Sequence, residues 1–224
     1  MGRKNQSDPT RKSFILNGIR YYYRNDKLCA MPAKREKVER PATEKQQMAR
    51  DAMEITGTFP VNFFRLSPVL YFAWNMYGEC FSLTYLDIFR KLNYPVLDLK
   101  LQGVDYFPDF HFCKGDLVPP RDTRVNREGW TFFLYWNAPA REYGRANPND
   151  SLALGFFYDS RPDSPQFIMT SFTRGECFAR IALPDSAHPE TETVHLYPFF
   201  TSPDWSAYSD SRYVKAEVID LVIP

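Results

Sequence analysis

Long apolar runs are absent from this sequence of 224 residues. The longest stretch without a charged side chain lies between Arg65 and Glu79, and Pro68 and Gly78 interrupt it. A membrane-spanning helix needs about 20 consecutive apolar residues. A signal peptide needs an apolar segment after its positive charges, and the polar N-terminal residues are not followed by one. We therefore expect neither a membrane span nor a cleaved signal peptide.

Cysteine is scarce and widely spaced. The four cysteines, Cys29, Cys80, Cys113 and Cys177, form no Cys-x-x-Cys pair. The sequence therefore indicates neither a disulfide framework nor a zinc site. Cysteines used in this way are typical of proteins in a reducing compartment. We expect the protein in the cytoplasm, or in a virion if it is part of one.

Glycine motifs that carry chemistry are missing as well. The 10 glycines are scattered singly and form neither Gly-x-Gly-x-x-Gly nor Gly-x-x-x-x-Gly-Lys, the patterns in which a glycine-rich loop cradles phosphate. No Gly-x-Ser-x-Gly segment offers an exposed serine nucleophile. The sequence predicts a protein with no cofactor and no enzymatic activity.

The three histidines are the remaining candidates for chemistry. On a strand, Asp109, His111 and Cys113 would share a face, and residues of these types can begin a metal site. Nothing in the sequence marks a further ligand, so an ordinary strand with its two phenylalanines inward is the better interpretation, and no metal is predicted. His188 lies in a loop composition, and His195 lies in a predicted strand with no marked catalytic partner.

Aromatic residues are abundant, with 19 Phe, 14 Tyr and 4 Trp. The segment 128–136, Glu-Gly-Trp-Thr-Phe-Phe-Leu-Tyr-Trp, carries aromatic or branched residues on both faces and predicts a central strand. From Asp105 onward the pattern has period two, with turn residues roughly every eight to twelve positions, which predicts an immunoglobulin- or fibronectin-like β-sandwich. The predicted strands are 109–114, 122–125, 130–137, 152–158, 167–172, 177–183, 194–200 and 213–223.

Five strand aromatics fall on the faces opposite their more apolar neighbours: Phe133, Tyr135, Phe157, Tyr197 and Phe199. A sandwich buries only one face of each sheet. Either the helices predicted between residues 44 and 94 cover one sheet, or these aromatics face a partner. We expect the helices to cover most of them, because a soluble chain rarely leaves bare a large apolar patch that its own elements can reach.

The N-terminal region predicts a small three-stranded meander. Asn17-Gly18 and Asn25-Asp26 separate three apolar runs, and Asn-Gly is a strong hairpin signal because both residues accept the positive φ of a type I′ turn. The middle strand puts Arg20, Tyr22 and Arg24 on one face. A sheet of this size is marginal alone and needs something to pack against.

Two helices are predicted after a charged linker. Thr43 and Gln46 form a capping box and Gly57 suits the C′ position, so the first helix should span residues 44–56. Apolar residues at helical spacing predict a second helix over 82–94. The fold class is α+β, mainly β. The expected domains are a basic arm with the meander and linker (1–42), a helical segment (43–97) and the β-sandwich (98–224).

Charge is distributed unevenly along the chain. Residues 1–50 hold 13 Lys and Arg against 5 Asp and Glu, whereas the remainder holds 15 against 22. Such a basic arm faces a polyanion, which is either nucleic acid or an acidic protein surface, unless it is a solvated tail. Cations and tyrosines interleave in this arm. The predicted partner-binding residues are Arg20, Tyr22, Arg24, Lys27, Lys34, Arg35, Lys37 and Arg40.

Three motifs follow one another in residues 14–50. They are a hairpin with Asn17-Gly18 and Tyr21-Tyr22-Tyr23-Arg24, then Met31-Pro32-Ala33-Lys34, then Arg40-Pro41-Ala42-Thr43-Glu44-Lys45-Gln46. Together they resemble the N-terminal pattern of an uncharacterised bacterial domain-of-unknown-function family, in which a hairpin leads through a Ser-x-Pro-x-Lys run and a Thr-x-x-Gln box into a helix. Ala30 stands where that pattern has Ser. The resemblance implies this architecture and a strand-rich second half, and it implies no catalytic residue.

We expect a non-enzymatic structural or interaction protein. It would be a subunit of a larger assembly, such as a phage virion or a prophage-derived particle, in which the basic arm binds other protein subunits or a second copy of the chain. The alternative is a nucleic-acid-binding protein that uses the same basic, Tyr-rich arm. The acidic remainder of the chain weighs against that alternative because it repels a long polyanion.

Overall fold

The computed structural model describes residues 13–24, 27–33, 41–98, 102–137, 145–183 and 192–216. The chain divides into two compact units, Met1–Thr43 and Glu44–Pro224, called here the N-terminal and C-terminal units. The fold is α+β, with helices and several antiparallel sheets, as the sequence predicts. No helix in the described residues combines the length and the hydropathy of a membrane span.

The N-terminal unit contains the predicted meander. Strands β1 (Phe14–Leu16), β2 (Ile19–Arg24) and β3 (Lys27–Pro32) form an antiparallel sheet in the order β1-β2-β3. Asn17 and Gly18 connect the first two strands with φ angles of 49° and 74°. Positive φ at both turn residues is what a type I′ hairpin requires, so this part of the prediction is confirmed. The second turn lies outside the described residues.

The first helix, α1, is longer than predicted. It spans Glu44–Arg65 and continues through Gly57 and Pro60, so the predicted end near residue 56 is wrong. Proline inside a helix costs about 3 kcal/mol. Phe59 and Phe63 lie on either side of it and are buried, and burial of each ring contributes about 1.5–3 kcal/mol. Core packing therefore overrides the local stop signals.

Two shorter helices follow, each with a side-chain cap. Helix α2 (Pro68–Glu79) begins after Ser67, whose hydroxyl accepts a hydrogen bond from a backbone N–H of the first turn. Helix α3 (Tyr85–Asn93) begins after Thr84, which caps it in the same way. The helix predicted over residues 82–94 is therefore confirmed as α3, with a later start than the pattern indicates. Helix α2 is additional to the two predicted helices.

The remaining strands form a short pair and two larger antiparallel sheets. One sheet has the order β10-β7-β6 and is called the outer sheet; the other has the order β12-β11-β8-β9 and is called the central sheet. Most predicted strands are confirmed, although the predicted extension of the last one to residue 223 lies outside the described residues. The strands are β4 (Leu97–Asp98), β5 (Gly103–Val104), β6 (Arg121–Glu128), β7 (Thr131–Asn137), β8 (Ser151–Tyr158), β9 (Gln166–Thr173), β10 (Phe178–Ala182), β11 (Val194–Thr201) and β12 (Val214–Ala216).

The predicted strand at residues 109–114 is wrong. A 3-10 helix ends at Asp109, and an irregular segment follows it. The backbone N–H of His111 donates to Asn93 Oδ1 at 2.7 Å, and those of Phe112 and Cys113 donate to Ser211 Oγ at 3.0 and 3.2 Å. Distant side chains therefore satisfy the backbone donors that a neighbouring strand would otherwise bind.

The central sheet has a core on each side. On one side, Leu154 and Phe156 of β8 belong to the same buried cluster as Phe132 and Leu134 of β7. The outer and central sheets therefore bury their facing sides together, with alternate residues of each strand pointing into the shared core.

The second core joins the central sheet to the helices. Phe157, Tyr197 and Phe199 lie in one buried cluster with rings from all three helices, so the helices cover these aromatics as predicted. Phe133 and Tyr135 differ, because they lie on the face of the outer sheet that points away from the shared core. The helices thus cover three of the five strand aromatics, and the prediction is confirmed for those three.

Candidate functional site

The structure brings four of the predicted partner-binding residues onto one face of the meander. Arg20, Tyr22 and Arg24 alternate along β2, and Lys27 of β3 pairs directly with Arg24. Because alternate residues of a strand share a face, three cations and one tyrosine lie on the same side of the sheet. The other four predicted residues, Lys34, Arg35, Lys37 and Arg40, lie outside the described residues.

The opposite face of the meander carries no charge. Phe14 stacks on Tyr21 with ring centroids 5.1 Å apart, and Leu16 and Leu28 are 56% and 53% exposed. No described residue of the N-terminal unit packs over this face, because a single three-stranded layer has no second layer of its own. The residues of this apolar face are Phe14, Leu16, Ile19, Tyr21, Tyr23, Leu28, Ala30 and Pro32.

His195 is the centre of the main polar cluster in the C-terminal unit. Its Nε2 lies 2.9 Å from Asp159 Oδ1, and its Nδ1 lies 3.0 Å from the Tyr213 hydroxyl. The ring stacks on Phe107 with a centroid distance of 3.6 Å and an interplanar angle of 9°. No local sequence signal marks this cluster, since the partners are 36 and 18 residues away along the chain.

The geometry suits His195 for a structural role. The residue is only 4% exposed, and both of its ring nitrogens contact side chains of the C-terminal unit itself. Burial lowers the pKa of His195 below its usual value, although the Asp159 carboxylate acts in the opposite direction. The cluster joins β11 to the segment before β12 and to the loop after β8.

The three residues that a strand would have aligned as metal ligands do not share a face. Asp109 closes a 3-10 helix, His111 is partly buried, and Cys113 is fully buried. Burial raises the pKa of the Cys113 thiol well above its usual value, whereas metal binding requires a thiolate. Within the described part of the chain, no three His, Cys, Asp or Glu side chains are grouped to hold a metal ion.

Arg174 and Asp150 form a buried ion pair that the sequence does not indicate. Arg174 Nε donates to Asp150 Oδ2 at 2.9 Å, and both side chains are almost fully buried. Arg174 Nη1 also donates to the Val118 carbonyl at 2.7 Å, and the guanidinium lies 4.0 Å from the centre of the Phe200 ring. The pair fixes the loop before β8 against the turn after β9.

Comparison with known protein families and with curated proteins finds no match for the sequence. Function must therefore be inferred from the residues. The two-faced meander is the described feature that is best suited to a partner, because it places cations on one side and apolar groups on the other. Alternation along β2 predicts the cationic face, and the same alternation in β1 and β3 could have indicated the apolar one.

Proposed function

We propose that this protein is a non-enzymatic interaction protein, a subunit of a larger assembly that is joined to a neighbouring copy through its N-terminal unit. A virion, a prophage-derived particle or another cytoplasmic assembly would suit such a subunit. The single observation that carries the proposal is the continuous apolar face of the meander. A small sheet with one apolar face gains stability only when that face is buried against another surface.

Charge complementarity supports a second copy as the partner. The first 50 residues carry an excess of 8 positive charges, and the remainder carries an excess of 7 negative charges. Contacts between the basic end of one copy and the acidic part of the next are therefore attractive. Opposite charge also accelerates the encounter of two copies, and salt weakens it. The outer strands of the meander, β1 and β3, offer further backbone hydrogen bonds across the contact.

The topology of the two sheets supports an immunoglobulin- or fibronectin-like sandwich as the scaffold. Along the chain, β6, β7 and β10 belong to one sheet, and β8, β9, β11 and β12 belong to the other. A fibronectin-type sandwich distributes its seven strands in the same way, and sandwiches of this kind occur in many binding and structural proteins. The fold analogy suggests a scaffold and assigns no residue a chemical role.

Light scattering after size-exclusion chromatography tests the assembly. We expect a molar mass above that of one chain at low salt, which falls as salt increases. Leu16→Ser should weaken self-association by about 10-fold or more, because burial of a leucine side chain contributes about 1.5–3 kcal/mol. Ile15 is the matched control. It is 58% exposed, comparable to Leu16, but it lies on the cationic face.

Two outcomes would contradict the proposal. A monomer at every salt and protein concentration would exclude self-assembly. Equal effects of Leu16→Ser and Ile15→Ser would show that the apolar face is not the contact.

A second candidate function is nucleic-acid binding by the cationic face of the meander. The observation that favours it is the Tyr22 ring among Arg20, Arg24 and Lys27, since bases stack on aromatic rings while cations bind phosphates. Replacing the three cations with serine should make the slope of log K against log salt concentration shallower by about 2 for a single-stranded oligonucleotide, because each phosphate contact contributes about 0.7 to that slope. An unchanged slope in a fluorescence anisotropy titration would reject this candidate.

A further inference from the structure

The outer sheet carries a second aromatic surface, in the C-terminal unit. Its strands place Phe178, Tyr135 and Arg124 side by side in one row across β10, β7 and β6. The next row on the same face contains Arg180, Phe133 and Asn126. We call these six residues the outer aromatic face.

The rings of this face form one contiguous group. Phe178 lies 5.2 Å from Tyr135 and 6.3 Å from Phe133, measured between ring centroids. Tyr135 and Phe178 are 40% and 36% exposed. The neighbouring residues Phe132, Leu134 and Trp136 point into the shared core and are buried. The outward rings are therefore not needed to fill that core, and stability of the sandwich does not explain them.

The two arginines occupy opposite corners of the face. From standard strand spacing, the Cα atoms of Arg124 and Arg180 are about 12 Å apart, with the rings between them. Both side chains are exposed, and neither guanidinium has a carboxylate partner among the residues that the structure describes. Arg180 lies 5.9 Å from the centre of the Phe133 ring. The acidic Glu128 lies beyond these rows, at the turn between β6 and β7.

The charge of the face decides which partner fits it. The remainder of the chain after residue 50 is acidic overall and repels a long polyanion. The two arginines, which have no carboxylate partner in the described part of the chain, therefore attract an anionic ligand only locally, which suits a short single strand. They would repel the basic N-terminal unit of another copy, so that unit is a poor occupant. Arginine binds phosphate well through its planar fork of donors, and exposed rings on a sheet stack on unpaired bases.

We propose that the outer aromatic face binds single-stranded nucleic acid, with bases stacked on Tyr135 and Phe178 and phosphates bound by Arg124 and Arg180. A duplex cannot use the rings, because its bases are already stacked and paired. The site lies on a different unit from the meander and uses different residues. It is therefore independent of the proposed assembly and of the cationic face of the meander.

The test is a fluorescence anisotropy titration of the full chain with labelled oligothymidylate, its uridylate counterpart and a duplex of the same length. Tyr135→Ser and Phe178→Ser should each weaken binding to the single strands by about 5- to 150-fold, because each lost stacking contact has that effect. In the double variant Arg124→Ser, Arg180→Ser, the slope of log K against log salt concentration should become shallower by about 1.4, because each phosphate contact contributes about 0.7 to that slope. The duplex should bind more weakly than either single strand.

Two matched substitutions and one background serve as controls. Tyr106→Ser removes a ring that is 55% exposed outside the face, and Arg161→Ser removes an exposed arginine from a turn; both should leave binding unchanged. Every variant is also measured with Arg20, Arg24 and Lys27 replaced by serine, so that binding by the meander does not mask the effect. Circular dichroism verifies that each variant is folded, and the arginine pair tests the site even if Phe178→Ser does not fold.

Three results would overturn the proposal. One is the absence of binding to any single strand by the native chain. Another is binding that depends on the arginines but is unaffected by Tyr135→Ser and Phe178→Ser, since charge alone would then explain it. The third is a change of molar mass in light scattering, with no change in oligonucleotide affinity, which would assign the face to a protein contact. Photo-crosslinking of 4-thiouridine to peptides that contain Tyr135 or Phe178 would support the proposal directly.

Discussion

Replacing Gly155 with alanine should destabilise the C-terminal unit. Gly155 lies in the middle of β8, where a Cβ atom would come within 2.3 Å of Phe112 Cδ1 and 2.4 Å of Cγ and Cε1. Carbon atoms not bonded to each other approach to about 3.5 Å, so the ring would have to move by about 1 Å. Phe112 is fully buried and lies 4.9 Å from Phe63 between ring centroids, so its neighbours leave little room for that shift.

Overpacking of this kind costs about 1–3 kcal/mol, which corresponds to a melting temperature lower by about 2 to 12 °C in a protein of this size. Urea denaturation followed by circular dichroism measures the cost. Gly57→Ala is the matched control. Gly57 lies in α1, and no atom lies within 4 Å of the position that the new methyl group would take. This substitution should stabilise the protein by about 0.5–1 kcal/mol.

A Gly155→Ala variant as stable as the native chain, to within about 0.5 kcal/mol, would refute this expectation. A double variant tests the same contact in a second way. Phe112→Leu removes part of the ring that the new methyl group meets, so the double variant should lose less stability than the sum of the two single variants. Strict additivity would show that the alanine methyl group does not meet this ring.

Three further predictions concern buried polar groups. Burial lowers the pKa of His195, so the unfolded chain takes up a proton first as the pH falls below about 6.5. The contribution of His195 to the free energy of unfolding therefore decreases on acidification. The difference in free energy of unfolding between the native chain and His195→Gln should become smaller as the pH falls from about 7.5 to about 5. Asp150→Ala leaves the buried Arg174 guanidinium without its carboxylate and should cost about 3–5 kcal/mol in urea denaturation. Cys80 is exposed and Cys113 is buried with a raised pKa, so a thiol reagent should modify Cys80 promptly and Cys113 only on unfolding.

Each of these predictions has a matched comparison. Burial also lowers the pKa of His111, but His111 is present in both the native chain and His195→Gln, so its effect cancels in the comparison. A difference in free energy of unfolding that does not change with pH would contradict the role of His195. Asp116→Ala removes the partner of Arg145 from an exposed ion pair and should cost at most about 1 kcal/mol. A similar cost for Asp150→Ala would contradict its role. Cys29 and Cys177 are partly exposed, so Cys80→Ser should remove one thiol from those labelled in the native state, and an unchanged number of labelled thiols would count against the assignment.

Local signals in the sequence predict the fold well where neighbours along the chain decide the structure. Asn17-Gly18 predicts the hairpin because its turn chemistry is contained in two residues. The aromatic and branched residues of 130–137 predict β7 because such side chains favour strands, and every second one of them lies in the shared core. The same signals fail at the end of α1. Gly57 and Pro60 predict a stop, but the burial of Phe59 and Phe63 depends on a core that the local sequence does not describe.

The surfaces are harder to predict than the strands. Alternation assigns Phe133, Tyr135 and Phe157 to the less apolar faces of their strands, but it does not indicate which sheet the helices cover. In the structure the helices pack on the central sheet, which buries Phe157 and leaves Tyr135 exposed. The cluster around His195 is hidden for a similar reason, because Asp159 and Tyr213 come together only through the pairing of β8, β11 and β12.

The hydroxyl group that holds the segment around Phe112 imposes an order on the folding of the newly made protein. Ser211 lies 99 residues after Phe112, and ribosomes add about 5–20 residues per second. The segment therefore waits about 5–20 s after its own synthesis for the acceptor of its backbone donors. Until then the backbone N–H groups of Phe112 and Cys113 lack the acceptor that they have in the folded protein.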